Sequence, residues 1–78
     1  MEFLLLDLEP SQYAKIKDLG GGHVFQDRMR SMGLKEGSSV KLIAKEPFGG
    51  PIVVKVGNTR VTLGRGMASK ILVEKQTA

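Results

Sequence analysis

The sequence contains no cysteine and no tryptophan, and its only histidine is His23. Without Cys there is no disulfide framework, thiolate metal site or cysteine nucleophile. One His excludes the two-His and His/Cys zinc sets within a single chain. Aromatics are scarce: Phe3, Tyr13, Phe25 and Phe48, a thin supply for stacking bases. The longest apolar run, Phe3 to Leu6, falls far short of the roughly 20 residues that cross a bilayer. A secretory leader would start positive and run longer, whereas Glu2 and Asp7 bracket this run. Its expected role is packing onto the core, and the expected compartment is the cytosol. No block of one charge exists either. The net charge of +4 comes from 12 basic and 8 acidic residues, with lysines scattered from Lys15 to Lys75. Scattered lysines read as a solvated face, while the positive balance leaves nucleic acid and acidic protein or membrane surfaces as partner classes.

Catalytic patterns are missing as well. None of Ser11, Ser31, Ser38, Ser39 or Ser69 sits in a nucleophile-elbow pattern. Asp18-Leu-Gly-Gly-Gly leads toward a helix, but no Gly-Lys-Ser/Thr follows, so it is a flexible connection and not a P-loop. His23 and Asp27 stand four apart and could share one helix face. Imidazole and carboxylate suit Fe2+, yet two ligands make a poor site. No resident cofactor and no enzymatic activity are expected.

What remains is patterning. A chain of 78 residues is one domain, 1–78. Ala14 and Ile16 alternate with lysines as in a half-buried strand over 13–18. Phe25, Met29 and Met32 fall at i, i+4 and i+7, predicting a short amphipathic helix over 24–32. Gly33 stands where a left-handed residue ends a helix, and Leu34 where an apolar residue folds back on it. Residues 34–37 then turn the chain into β structure. Alternation predicts strands over 40–45, 52–56, 60–63 and 71–74. They are separated by a turn at 47–50, a Gly57-Asn58 hairpin loop and one helical turn near 67–69. The tail 76–78 is expected to fray. The expected core comprises Leu6, Leu8, Phe25, Met29, Met32, Leu34 and the inward strand residues. The fold class is mainly β: a small five-stranded barrel with one or two short helices inserted.

Three longer motifs appear in register: R-x-x-x-M-G-L-x-x-G-S-x-V (28–40), P-x-G-G-P-I-x-V-x-V (47–56) and R-V-x-L-x-x-x-x-A-x-x-I-x-V (60–73). Together they resemble the FeoA family of small accessory proteins in bacterial ferrous-iron uptake. The resemblance covers about residues 5 to 74 and implies an SH3-like barrel. It also implies a partner, the GTPase-containing membrane transporter FeoB, and hence a cytoplasmic protein recruited to the inner face of the membrane. Where the family usually carries Pro-Gly after its first leucines, this chain has Pro10-Ser11, which puts the shape of that turn in question. The resemblance and the absence of a catalytic set imply an adaptor. His23, Arg28, Arg30, Lys35 and Phe48 are the partner-binding candidates, since Arg and aromatic side chains are favoured at contacts. The alternatives are a basic barrel that binds RNA or DNA, and weak direct Fe2+ binding through His23 and Asp27. Exposed strand edges would also permit a homo-oligomer.

Overall fold

A computed structural model of the chain describes residues 2–76. Six strands, β1 (Glu2–Leu4), β2 (Tyr13–Leu19), β3 (Ser39–Lys45), β4 (Ile52–Val56), β5 (Thr59–Leu63) and β6 (Ile71–Lys75), form one antiparallel sheet. Their order is β1-β6-β2-β3-β4-β5. A 3-10 turn at Leu5–Asp7 follows β1, helix α1 (Gly22–Ser31) joins β2 to β3, and the short helix α2 (Arg65–Ala68) joins β5 to β6. Inward residues of β2 through β6 meet Met29, Leu34 and Ala68 in a single buried cluster. One sheet can surround one cluster only by coiling round it, which makes the small barrel expected from the alternation.

The apolar run at the N-terminus does more than pack. Glu2, Phe3 and Leu4 pair with Glu74, Val73 and Leu72 of β6, so the sheet has six strands where five were expected. A three-residue strand inside an unalternating Phe-Leu-Leu-Leu run carries no period to read. The 3-10 turn then decides which leucines are buried. With three residues per turn, i and i+3 share a side, so Leu5 and Leu8 are both fully buried. Leu6, an expected core residue, is only half-buried against them. Each full burial stabilises by about 1.5–3 kcal/mol.

Leu19 is a second correction. The alternation of Ala14 and Ile16 would aim Asp18 inward. A register shift between Ile16 and Asp18 in the pairing with β6 reverses the parity, and Leu19 is buried instead. At the other end of the chain, the Gln76 N–H donates to the Tyr13 carbonyl at 3.1 Å, so it extends the sheet and does not fray. Residues 77–78 lie outside the described residues.

Helix α1 begins two residues before its expected start and ends one residue earlier, at Ser31. Met29 is fully buried, with Phe25 and Met32 packed partly against the core. The Gln26 amide donates to the Leu19 carbonyl at 2.9 Å and ties the first turn to β2. The helix stop is as the sequence predicts. Gly33 has φ +88°. Its N–H reaches the Arg30 carbonyl at 3.0 Å, and the Leu34 N–H reaches the Met29 carbonyl at 2.8 Å. This is the Schellman pair of bonds, and it delivers Leu34 to the core beside Met29.

Candidate functional site

The β3–β4 connection carries the least protected aromatic of the molecule. Phe48 is fully exposed, at 104%. Its φ is +60° and that of Gly49 is +74°, while the Gly50 N–H bonds the Pro47 carbonyl at 3.2 Å. Positive φ at both central residues is the I′ hairpin geometry, which a bulky side chain adopts only under strain. The chain on either side is closely packed and clamped. Gly50 lies so close to the preceding chain that a Cβ there would meet the Glu46 Cβ at 2.8 Å and the Pro47 carbonyl at 3.2 Å. Arg65, at the first position of α2, donates Nε to the Gly50 carbonyl at 2.8 Å and Nη2 to the Glu46 carbonyl at 3.0 Å. The planar guanidinium fork suits two carbonyls at fixed spacing. Nothing in the sequence singles out Arg65, which stands between Gly64 and Gly66 outside any periodic run.

The other candidates lie on α1 and just beyond it. His23 and Asp27 are both exposed, one turn apart. Asp27 Oδ1 faces Arg30 Nη1 at 3.6 Å. Among the described residues no group of three or more His, Asp or Glu side chains could hold a metal ion, so nothing completes the His23–Asp27 pair. Arg30 is engaged within the chain. Its Nε and Nη2 donate to the two Glu36 carboxylate oxygens at 3.4 and 3.0 Å. The hydrogen bond from Arg30 holds the Glu36 carboxyl below its usual range, and the same bond raises Arg30. Arg28 and Lys35 are exposed, and neither has an acidic partner within salt-bridge distance among the described residues.

The five candidates therefore form two places. Lys35 precedes β3 and Phe48 follows it, and seven residues of strand hold them roughly 20 Å apart. The same spacing bears on base stacking. Tyr13 pairs with Lys41 on the first half of β3, under the Lys41 ammonium at 5.4 Å from the ring centroid, away from Phe48. The two exposed aromatics share no platform. No helix among the described residues is long and apolar enough to cross a membrane.

A family model for the FeoA domain matches residues 3–75. A Fe(2+) transport protein A of Methanocaldococcus jannaschii is 34% identical over 59 residues, which are 76% of this chain and 70% of that protein. The crystal structure of an iron uptake regulatory protein (FeoA) superposes with a TM-score of 0.90 at 30% identity, over 97% of this chain and 100% of that one. Stenotrophomonas maltophilia FeoA, an SH3 domain protein solved as a zinc complex, superposes with a TM-score of 0.80 at 29% identity, over 92% of this chain and 89% of that one.

Proposed function

The chain belongs to the FeoA family, and on that premise we propose that it is a cytoplasmic accessory protein of ferrous-iron uptake that docks on the cytosolic part of a FeoB-type transporter. FeoA proteins are accessory iron-transport proteins and not enzymes, so the activity lies in binding. Fe2+ is the cargo of the transporter that the protein serves.

One observation carries the docking reading. Phe48 is an exposed aromatic on a strained turn that Arg65 clamps from below. Backbone strain of this kind costs on the order of 1–3 kcal/mol and persists where surrounding structure enforces it, often at functional sites. An exposed aromatic held out on a braced turn offers a large apolar area to a partner, and aromatic side chains are enriched at protein contacts. Arg28, Lys35 and His23 add exposed charge and a hydrogen-bonding ring on the α1 flank. Arg30 joins them only by giving up Glu36.

The test is binding of the purified protein to the cytosolic GTP-binding domain of its own FeoB, with and without GTP, across a salt series. Saturable binding that survives physiological salt and weakens in Phe48→Gly supports the reading. Weakening in Arg28→Glu/Lys35→Glu as well would assign the α1 flank to the interface. Affinity unchanged in both variants rejects these residues as the docking surface.

A further inference from the structure

Lys41 is distant in the sequence from Lys55 and Arg60, and the three are adjacent in the sheet. Tyr13 pairs with Lys41, Lys41 with Lys55, and Lys55 with Arg60. The four side chains form one straight row across the outer face of β2, β3, β4 and β5, at cross-strand distances of about 5 Å. Like charges directly opposite each other destabilise a sheet. Tyr13 offsets part of this by lying under Lys41. Lys55 and Arg60 have no acidic partner among the described residues.

The row ends at an open edge. β5 is the last strand of the sheet, and it pairs with β4 alone. Val56 and Thr59 flank the two-residue Gly57-Asn58 loop as a pair, so the ladder alternates from there. Thr59, Val61 and Leu63 turn their backbone groups to β4. Arg60 and Thr62 turn N–H and C=O outward. No backbone hydrogen bond outside the helices and strands reaches either residue among those described. The edge is regular through five pairs without a bulge, and it contains no proline, so the usual guards against strand addition are reduced to Arg60 itself. Beneath the edge Val61 is the least buried member of the core, at 9%.

We propose that the β5 edge is a docking site for an extended acidic segment of a partner protein, which adds a strand beside Arg60 and Thr62. Its backbone pairs with theirs. A carboxylate opposite Arg60 falls on the outer face, at the end of the Lys41–Lys55–Arg60 row, and an apolar neighbour on the inner face covers Val61. The required partner sequence alternates acidic and apolar residues. A second copy offers a poorer strand. β5 against β5 would bring two Arg60 side chains onto one face, and the other edge, β1, is three residues long. The site is separate from the Phe48 turn, and it stands or falls independently of the transporter reading.

The probe is a short peptide alternating Glu and Val, with a Gln/Val peptide and an oligo-thymidylate as controls. The readouts are amide NMR shifts and hydrogen exchange on the full chain. The proposal expects binding of the Glu/Val peptide, with the Arg60 and Thr62 amides shifted and protected, and binding of the Gln/Val peptide about tenfold weaker. Thr62→Pro removes only an outward N–H, which an edge strand tolerates, and is expected to abolish peptide binding. If that variant does not fold, charge reversal decides: Lys55→Glu/Arg60→Glu should lose the Glu/Val peptide and gain a Lys/Val one. Three results overturn the proposal. They are no binding of the acidic peptide, oligo-thymidylate binding on the row with the Glu/Val peptide leaving the Arg60 and Thr62 amides unprotected, and protection of those amides by self-association without peptide.

Discussion

Among the described residues two other than glycine hold positive φ, Ser11 at +75° and Phe48 at +60°, and their surroundings are opposite. Ser11 is the third residue of a turn closed by the Gln12 N–H on the Glu9 carbonyl at 3.0 Å. The turn is stitched to β3, since the Ser11 N–H bonds the Leu42 carbonyl at 2.8 Å and the Leu42 N–H bonds the Gln12 carbonyl at 3.0 Å. Pro10 presets the turn, and a serine occupies the position where glycine would relax it. The departure from Pro-Gly thus leaves the turn intact and strains one residue. Phe48 is strained to a similar degree, but its turn faces solvent and its side chain touches little. Strain at Ser11 serves the sheet. Strain at Phe48 presents a side chain.

Replacing each of the two residues by glycine would break that comparison. Phe48→Gly relieves the left-handed strain, and unfolded-chain entropy takes back part of the gain. Its folding stability should stay level or rise by up to about 1 kcal/mol, measured by urea unfolding. Partner binding should fall by roughly thirtyfold or more, the loss of a hot-spot aromatic worth about 2 kcal/mol. A variant that is equally stable and binds normally would mean that the exposed ring is incidental. Ser11→Gly should bring a similar gain in stability and no change in binding.

Arg65 sharpens the contrast. Arg65→Met keeps the aliphatic stem and removes the fork on the Gly50 and Glu46 carbonyls. The expected cost is about 1–3 kcal/mol in unfolding free energy, with increased exchange of the Gly50 amide. Binding should weaken less than in Phe48→Gly, because the ring remains and only its orientation loosens. Equal stability in Arg65→Met would separate the strain at Phe48 from the clamp.

Much of this fold was legible because it rests on local periods. The alternation of β3 to β6, the Phe25/Met29 stripe and the Gly33-Leu34 stop each depend on residues within one turn or strand. What escaped depends on tertiary pairing. The bulge that buries Leu19, the strand β1 and the Arg65 fork are set by neighbours distant in the chain. The candidate site divides in the same way. An aromatic beside Gly49-Gly50 could be singled out from the sequence, but the roughly 20 Å between Phe48 and Lys35 appears only once β3 is laid between them. Lysines that read as scattered become a row when Lys41, Lys55 and Arg60 are brought into register.

The smallest effect belongs to the Arg30–Glu36 pair, which stands on the α1 side as Arg65 stands at the Phe48 turn. Both arginines donate through Nε and Nη2, but Glu36 is an exposed carboxylate that water and salt can solvate. Its carboxyl lies below the ordinary range in the folded chain because Arg30 donates to it. A depressed carboxylate stabilises the fold above its unfolded value, and that contribution is lost as pH falls through the folded one. Glu36→Gln should therefore be slightly less stable than the parent at neutral pH and low salt. The difference should fade as pH falls below the ordinary carboxylate range, and it should shrink in about 1 M salt, where the screening length is about 3 Å. The same variant frees Arg30 for a partner. If FeoB-domain binding tightens in Glu36→Gln, Arg30 belongs to the interface; if only the pH dependence of stability changes, Arg30 is a structural residue and the α1 contact rests on Arg28 and Lys35.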